Sequence, residues 1–153
     1  EKITGEAGMT VKEGEDIQMD IFGPDKKSLE QEKDTNANSI VAKLTFGKNS
    51  FLFTGDLPTK EEEKLIQQNI DLSAGVLKTG HHGSKYSTSD NFLNKVSPRD
   101  AIISSGKNNS YGHPHEEVLE RLNKSGIKIL RTDEAGDVEY ECKEVKSECF
   151  AKY

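Results

Sequence analysis

Short apolar runs alternate with amphipathic helix patterns through the second half of the chain, and no other sequence feature restricts the fold as strongly. Three runs are of strand length, namely AGVLKT (74–79), AIISS (101–105) and IKILRT (127–132). A helix pattern precedes each run, at 57–69, 88–96 and 114–126. Strands separated by helices are typical of parallel βαβ units. The alternation therefore predicts an α/β fold.

The helix patterns also carry recognisable ends. Pro58 and Pro114 suit first-turn positions of the first and third helices. A serine or threonine precedes the middle helix as a cap, and Pro98 stops it. Gly126 stands where a helix-terminating glycine belongs.

The first half of the chain has strand patterns of a different kind. IQMDIF (17–22) alternates as a half-buried strand does, and the β-rich runs 40–46 and 50–54 flank a GKN tripeptide that suits a tight hairpin. The polar segment 23–39 between them predicts a mobile loop. Together with the parallel part, these patterns predict one domain over 1–153, with a mixed sheet and helices on one face.

The C-terminal end is predicted to finish as a strand pair. VEYEC (138–142) follows the strand at 127–132 after a DEAGD turn, and 142–153 is a tail. Cys142 and Cys149 can form a disulfide in an exported protein or remain two thiols, and both interpretations stay open. A zinc pair is disfavoured because their spacing is wide for one knuckle.

Charge and hydropathy restrict the possible partners. The formal net charge of −6 over 153 residues argues against broad, sequence-independent binding to nucleic acid, although a local phosphate site is compatible with it. No segment approaches the length of a transmembrane helix, and no signal peptide is visible.

All four histidines fall in two loops that follow predicted strands. His81 and His82 stand in GVLKTGHHGS, and His113 and His115 stand in SYGHPHEEV. Asp56 follows the second hairpin strand. Because ligands bind outside the carboxyl ends of strands in open α/β sheets, we expect these loops to converge. Imidazole and carboxylate together suit zinc, manganese or iron, and a carboxylate can bridge two metals.

Each of these features also has a structural interpretation. Asp56 can be a helix N-cap or a turn former, the histidine pair can lie on a solvated loop, and GHPH can open a helix. Other polar residues beside the histidines suit either an anion site or ordinary loops. These residues are Gly83, Ser84, Lys85, Lys107, Asn108, Asn109 and Tyr111.

The composite pattern TGD, HHGS and GHPH, in this order, resembles the C-terminal half of the ComEC-like metallo-β-lactamase-fold hydrolase domain. That domain belongs to bacterial competence proteins and to free-standing secreted relatives, and the similarity covers about residues 17–140. The resemblance implies half of an αββα sandwich, two zinc or manganese ions in the complete domain, and hydrolysis of DNA or another phosphoester.

The resemblance also assigns roles to single residues. It implies that Asp56 bridges two metals, and that His81 and His113 are both candidate ligands, with the direct ligand of the second metal left open between them. The catalytic candidates, which would contact phosphate or stabilise the leaving group, are His82, Lys85 and His115.

One part of the family pattern is absent. The HxHxDH-type or HxDxDH-type run supplies most metal ligands in the family, yet no histidine precedes residue 81. We therefore expect a fragment that lacks the N-terminal half, binds metal weakly or not at all, and is inactive as a hydrolase. An apolar sheet face left uncovered would pack against that missing half or a second copy of the chain.

A second hypothesis treats the chain as a non-catalytic half-domain that binds a partner protein or nucleic acid. Free-standing members of the family carry export signals, and a cysteine pair is more typical of an oxidising compartment. An extracellular or cell-surface location in a bacterium is therefore expected.

Overall fold

The fold is described by a computed structural model that covers residues 5–31 and 33–153. Within this part of the chain the strands are β1 (Thr10–Glu13), β2 (Ile17–Gly23), β3 (Val41–Phe46), β4 (Asn49–Phe53), β5 (Val76–Lys78), β6 (Asp100–Ile103), β7 (Lys128–Arg131), β8 (Glu139–Glu141) and β9 (Phe150–Lys152). The helices are α1 (Lys26–Gln31), α2 (Thr59–Gln67), α3 (Asp90–Val96), α4 (Glu116–Lys124) and α5 (Thr132–Ala135).

Strands β1 to β7 form one mixed sheet in chain order. Strands β1 to β4 are antiparallel, whereas β4 to β7 are parallel because a helical crossover separates each consecutive pair. The predicted α/β class, the mixed sheet and the hairpin at 47–49 are confirmed. The carboxyl ends of β4, β5 and β6 consequently meet at one edge of the sheet.

The main core lies between the sheet and three helices. Leu52, Leu77 and Ala101 occupy paired register positions on one face, and all three are fully buried. Helices α2, α3 and α4 pack into the same core through Leu65, Phe92, Leu93, Val96, Val118 and Leu122. Full burial of one such aliphatic or aromatic side chain contributes roughly 1.5–3 kcal/mol, so this face holds the three helices on one side of the sheet.

The opposite face carries a small β-hairpin. The Tyr140 ring of β8 meets Phe51 edge-on, with centroids 5.3 Å apart, and its hydroxyl donates to Asp100 Oδ2 at 3.0 Å. A disulfide joins Cys142 to Cys149 and closes the hairpin. The structure thus resolves the two open interpretations of the cysteines in favour of the disulfide.

The two chain segments outside the main alternation differ from their predictions. The segment 23–39 contains the six-residue helix α1, whose start is stabilised by the Ser28 N–H donating to Asp25 Oδ1 at 2.7 Å. Its predicted mobility stays a prediction. Strand β8 pairs with β9 in the tail rather than with β7, because α5 occupies the DEAGD segment and turns the chain away from the main sheet.

No helix among the described residues is both long and apolar enough to cross a lipid bilayer.

Candidate functional site

The structure brings the four histidines together where the parallel strands end. Asp56 follows β4, His81 and His82 follow β5, and His113 and His115 lie on the loop after β6. The ring centroids of His81 and His113 are 5.7 Å apart, and those of His113 and His115 are 4.8 Å apart. Two loops that are distant in sequence therefore form one imidazole cluster.

The backbone of the first loop is unusual. His81 (φ 47°), His82 (φ 57°) and Gly83 (φ 82°) are three consecutive residues in the left-handed region. This conformation costs a non-glycine residue roughly 1–2 kcal/mol, so packing around the loop must hold it in place. A Cβ on Gly83 would lie only 2.7 Å from Cβ of Pro114, and the Gly83 carbonyl accepts from the His115 N–H at 3.0 Å. Gly83 thus allows the two histidine loops to touch.

Two charged side chains, Glu62 and Arg121, hold the far end of this loop by hydrogen bonds to its backbone. The fully buried Glu62 of α2 accepts from the N–H groups of Thr88 and Ser89, the latter at 3.0 Å. Burial raises the pKa of Glu62, and its bonds from Ser89 and Thr88 and the charge of Arg121 oppose that rise. Arg121 of α4 donates to the carbonyls of Ser87, at 3.0 Å, and Thr88. Helices α2 and α4 therefore set the loop position together.

The second loop is organised by Asn109. Its Oδ1 accepts from the N–H groups of His113 (3.0 Å) and Tyr111 (3.2 Å), and its Nδ2 donates to the His113 carbonyl (2.6 Å). The Tyr111 ring stacks on His113, with centroids 5.8 Å apart and an interplanar angle of 22°. Tyr111 nevertheless remains 77% exposed, so the far face of its ring is open to solvent.

Hydrogen bonds orient the other imidazoles. His82 Nδ1 lies 2.7 Å from the Ser104 carbonyl, which can only accept, so Nδ1 carries a hydrogen and Nε2 faces Asp56 Oδ1 at 3.6 Å. His115 Nδ1 accepts from the Lys85 N–H at 3.2 Å.

Burial, and then the neighbouring histidines, lower the pKa of His113. His113 is therefore disposed to stay neutral.

Three lysines supply the positive charge near the cluster. Lys85 is exposed, and its Nζ lies 3.6 Å from Glu117 at the start of α4. Lys107 is exposed on the loop after β6. Lys78 at the end of β5 is half-buried, and burial lowers its pKa while Asp56 opposes that change. The site thus presents a few cations beside neutral polar and aromatic groups.

His115 corrects a prediction about the third helix. Helix α4 begins at Glu116, and His115 is its N-cap, so Pro114 lies before the helix rather than in its first turn. The predicted caps of the middle helix are confirmed, since the Ser89 hydroxyl accepts from the Phe92 N–H at 3.3 Å.

The described residues do not form a zinc centre by themselves. Throughout residues 5–31 and 33–153, no three histidine, cysteine, aspartate or glutamate side chains are grouped so that they could hold a metal ion. A catalytic zinc needs three protein ligands at about 2.0–2.3 Å. The zinc that the resemblance implies is therefore not supported by the described residues, whereas the two metal ions expected in the complete domain stay a prediction. The individual ligand roles of Asp56, His81 and His113, and weak metal binding, stay predictions.

Sequence comparison relates the chain to bacterial competence proteins. No family model matches it. It is 39% identical over 128 residues to ComE operon protein 3 of Bacillus subtilis, and this alignment covers 84% of the chain and 16% of that protein. It is 46% identical over 108 residues to competence protein ComA of Neisseria gonorrhoeae, an alignment that covers 70% of this chain and 16% of that protein. It is 43% identical over 105 residues to Recombination protein 2 of Haemophilus influenzae, with 67% of this chain and 13% of that protein covered. The chain thus spans 16% or less of the length of these relatives.

These relatives correct the predicted family and function. Their names are those of competence and recombination proteins, and neither a name nor a family model supports the assignment to a ComEC-like metallo-β-lactamase hydrolase. The predicted metal-dependent phosphodiesterase is overturned by the same finding. The names of the relatives agree with the expected association with competence, and the non-catalytic hypothesis agrees better with these relatives than the hydrolase hypothesis does.

Sequence reasoning missed three residues that shape the site. Glu62 is one of three consecutive glutamates and Arg121 lies on a polar helix face, so nothing in the sequence distinguishes them from solvated charges. Tyr86 had a usable signal, because it is a large aromatic residue among Gly, Ser and Lys in the first histidine loop. Its side chain is 67% exposed.

Proposed function

We propose that this chain is a non-catalytic, nucleic-acid-binding domain of a bacterial competence protein, and that DNA is its ligand. One observation carries the proposal: two loops at the carboxyl ends of β5 and β6 join into one surface of imidazoles, lysines and exposed tyrosines. Imidazole and ammonium groups donate to phosphate, and aromatic rings stack on bases. The relatives named for competence support DNA, since competence is the uptake of DNA by bacteria.

The charge distribution supports local rather than extensive binding. The net charge is −6, and among the residues that the structure describes, β5 and the two histidine loops contribute three lysines, namely Lys78, Lys85 and Lys107. The logarithm of the binding constant for a single strand falls with the logarithm of the salt concentration, with a slope of about −0.7 for each neutralised phosphate. Three phosphate contacts therefore give a slope of about −2. Such a site holds a few nucleotides and does not wrap a duplex.

Fluorescence anisotropy with a labelled oligonucleotide tests this proposal. The double variant K85A/K107A should bind more weakly, and the magnitude of its salt slope should fall by about 1.4 because two phosphate contacts are lost. The matched control is K124A/K128A, which removes two exposed lysines at the end of α4 and the start of β7, away from the histidine loops. Absence of binding to any oligonucleotide at low salt would refute the proposal.

The cellular location belongs to the same proposal. We infer a cell-surface or periplasmic position in a bacterium, where incoming DNA is first met. The Cys142–Cys149 disulfide supports it, because disulfides persist mainly in oxidising compartments.

The larger architecture is also a proposal. We infer that the sheet face opposite the helices packs against a second layer, as half of a sandwich would. Exposed apolar side chains support this: Val11 is 58% exposed and Phe53 is 39% exposed, and the strand register places both on the face of Phe51.

A further inference from the structure

The two exposed tyrosines are the features of the site that phosphate binding does not explain. Tyr111 is 77% exposed and Tyr86 is 67% exposed, and each lies on one of the two histidine loops. A tyrosine combines an apolar ring with a polar hydroxyl group, which makes it a frequent contact residue at binding surfaces. The rings are therefore candidates for contacts with a flat apolar partner.

The backbone of Tyr111 is bound by Asn109, and its ring is stacked on His113. Asn109 binds the backbone of Tyr111 and His113 through one side-chain oxygen, at 3.2 and 3.0 Å. The tyrosine ring lies at 22° to the His113 ring, with centroids 5.8 Å apart, so one ring face is occupied and the other is free. Because the orientation is already set, little side-chain entropy is lost when a second planar group stacks on the free face.

Tyr86 is held in a comparable way. Its carbonyl accepts from the Thr59 N–H at 2.8 Å and from the Thr59 hydroxyl at 2.9 Å. Lys85 Nζ lies 5.6 Å from the Tyr86 ring centroid, which places a cation beside the ring. The Lys85 N–H donates to His115 Nδ1 at 3.2 Å and thereby links this loop to that of Tyr111. Each ring therefore stands beside groups suited to a phosphate.

A planar ring with neighbouring polar donors matches a nucleotide whose base is unpaired and unstacked. In a duplex both faces of every internal base are covered by adjacent bases, so the tyrosines find no free base face. In a single strand each base offers its face while its phosphate reaches the lysines and histidines. Stacking tolerates all four bases, because every base has a π-face.

We propose that this surface selects single-stranded over double-stranded nucleic acid, and that stacking of an unpaired base on the Tyr111–His113 pair is the main determinant of this selection, with Tyr86 as a second platform. This proposal rests on the proposed function, since it names the form of nucleic acid that the same site accepts. Tyr111 acts as a specificity-determining residue and Asn109 as the residue that positions it.

Anisotropy measurements with three labelled probes of equal length test the proposal: a thymidine oligonucleotide, a duplex, and an abasic strand that keeps the phosphates but lacks bases. The unmodified chain should bind the thymidine strand at least about tenfold more tightly than either other probe, from the usual contribution of one stacked base. Y111A should lose about tenfold for the thymidine strand and change little for the other probes, while Y111F should retain the affinity of the unmodified chain.

The matched control is Y153A. Tyr153 is also exposed, at 66%, but its ring lies 5.1 Å from Lys128 Nζ at the start of β7, at the other end of the parallel strands. Y153A should bind all probes as the unmodified chain does. Equal affinity for the strand, the duplex and the abasic probe would overturn single-strand selection and leave DNA binding intact. No binding to any probe would overturn the proposed function itself.

Discussion

At the scale of single residues, the site depends on one glycine. Gly83 combines a φ of 82° with a neighbour, Pro114, that leaves no space for a side chain. His81 and His82, which precede it, adopt the same left-handed conformation although they have side chains. The backbone strain of the loop therefore lies in two residues of the proposed binding surface. The glycine is required by the contact between the loops and by its own backbone conformation.

We predict that G83A lowers the free energy of unfolding by about 2 kcal/mol or more, since the new methyl group meets Pro114 and the left-handed conformation disfavours it. Urea denaturation followed by circular dichroism measures this change. G106A is the matched control, because a Cβ on Gly106 has no heavy atom within 4 Å. If both variants were equally stable, the tight contact at Gly83 would be refuted.

At the scale of elements, helices α2 and α4 stabilise the first histidine loop through side-chain hydrogen bonds to its backbone. Glu62 binds two consecutive N–H groups at the start of α3, and Arg121 binds the carbonyls beside them. A buried carboxylate with a nearby guanidinium and paired N–H groups satisfies polar backbone that would otherwise be costly. The loop therefore takes its position from two helices that flank it.

E62Q should destabilise the chain by roughly 1–3 kcal/mol, because an amide oxygen can accept one of the two N–H bonds while its NH₂ group faces the other. The pH dependence has a defined sign. The pKa of Glu62 is raised in the folded state, so the folded chain retains a proton that the unfolded chain releases above about 4.5. The stability of the unmodified chain relative to E62Q should thus fall as pH rises from that value through the raised folded pKa.

Urea denaturation of both chains over a series of pH values upward from about 4.5 checks this prediction. E63Q is the control on the same helix, since Glu63 binds the Asn91 side chain at an exposed position and glutamine can keep that bond. A difference between the unmodified chain and E62Q that did not vary with pH would contradict the assignment.

At the scale of the whole molecule, the sheet has two unlike faces. One is covered by α2, α3 and α4 over a continuous apolar core. The other is covered in part by the β8–β9 hairpin, which the disulfide closes. Tyr140 and Asn49 anchor this hairpin to the sheet, and Asn49 Oδ1 accepts from the Cys149 N–H at 2.8 Å. The histidine loops lie at the carboxyl ends of the strands, so the hairpin and the proposed binding surface are separate.

The double variant C142S/C149S should therefore lose stability without losing nucleic-acid affinity. The two cysteines are seven positions apart, and closure of so short a loop stabilises a fold by about 2 kcal/mol through the unfolded chain. Thermal unfolding should show the loss, and anisotropy should show unchanged affinity. A marked fall in affinity would mean that the hairpin contributes to the binding surface.

Much of the architecture could be predicted because local patterns specify it. The apolar start of AIISS predicts an internal strand, in which Ala101 and Ile103 are buried. The caps at Ser89 and Gly126 satisfy helix ends within a few residues. Strand β1 was missed because its four residues are all exposed and carry no alternation. Strand β9 was missed because the disulfide and long-range pairing, rather than its own pattern, bring it to β8.

By itself, the sequence determined the α/β class, the alternation of helices with the parallel strands, and the presence of histidines just beyond two strand ends. Tertiary structure alone decided that these loops touch through Gly83 and Pro114, and that Glu62 and Arg121 hold the first of them in place. It also decided that no three His, Cys, Asp or Glu side chains of the described residues are grouped so that they could hold a metal ion. The reason is physical. Periodicity and caps act between near neighbours, whereas the site is made by contacts of about 30 residues' separation, such as Lys85 with His115, which no local pattern encodes.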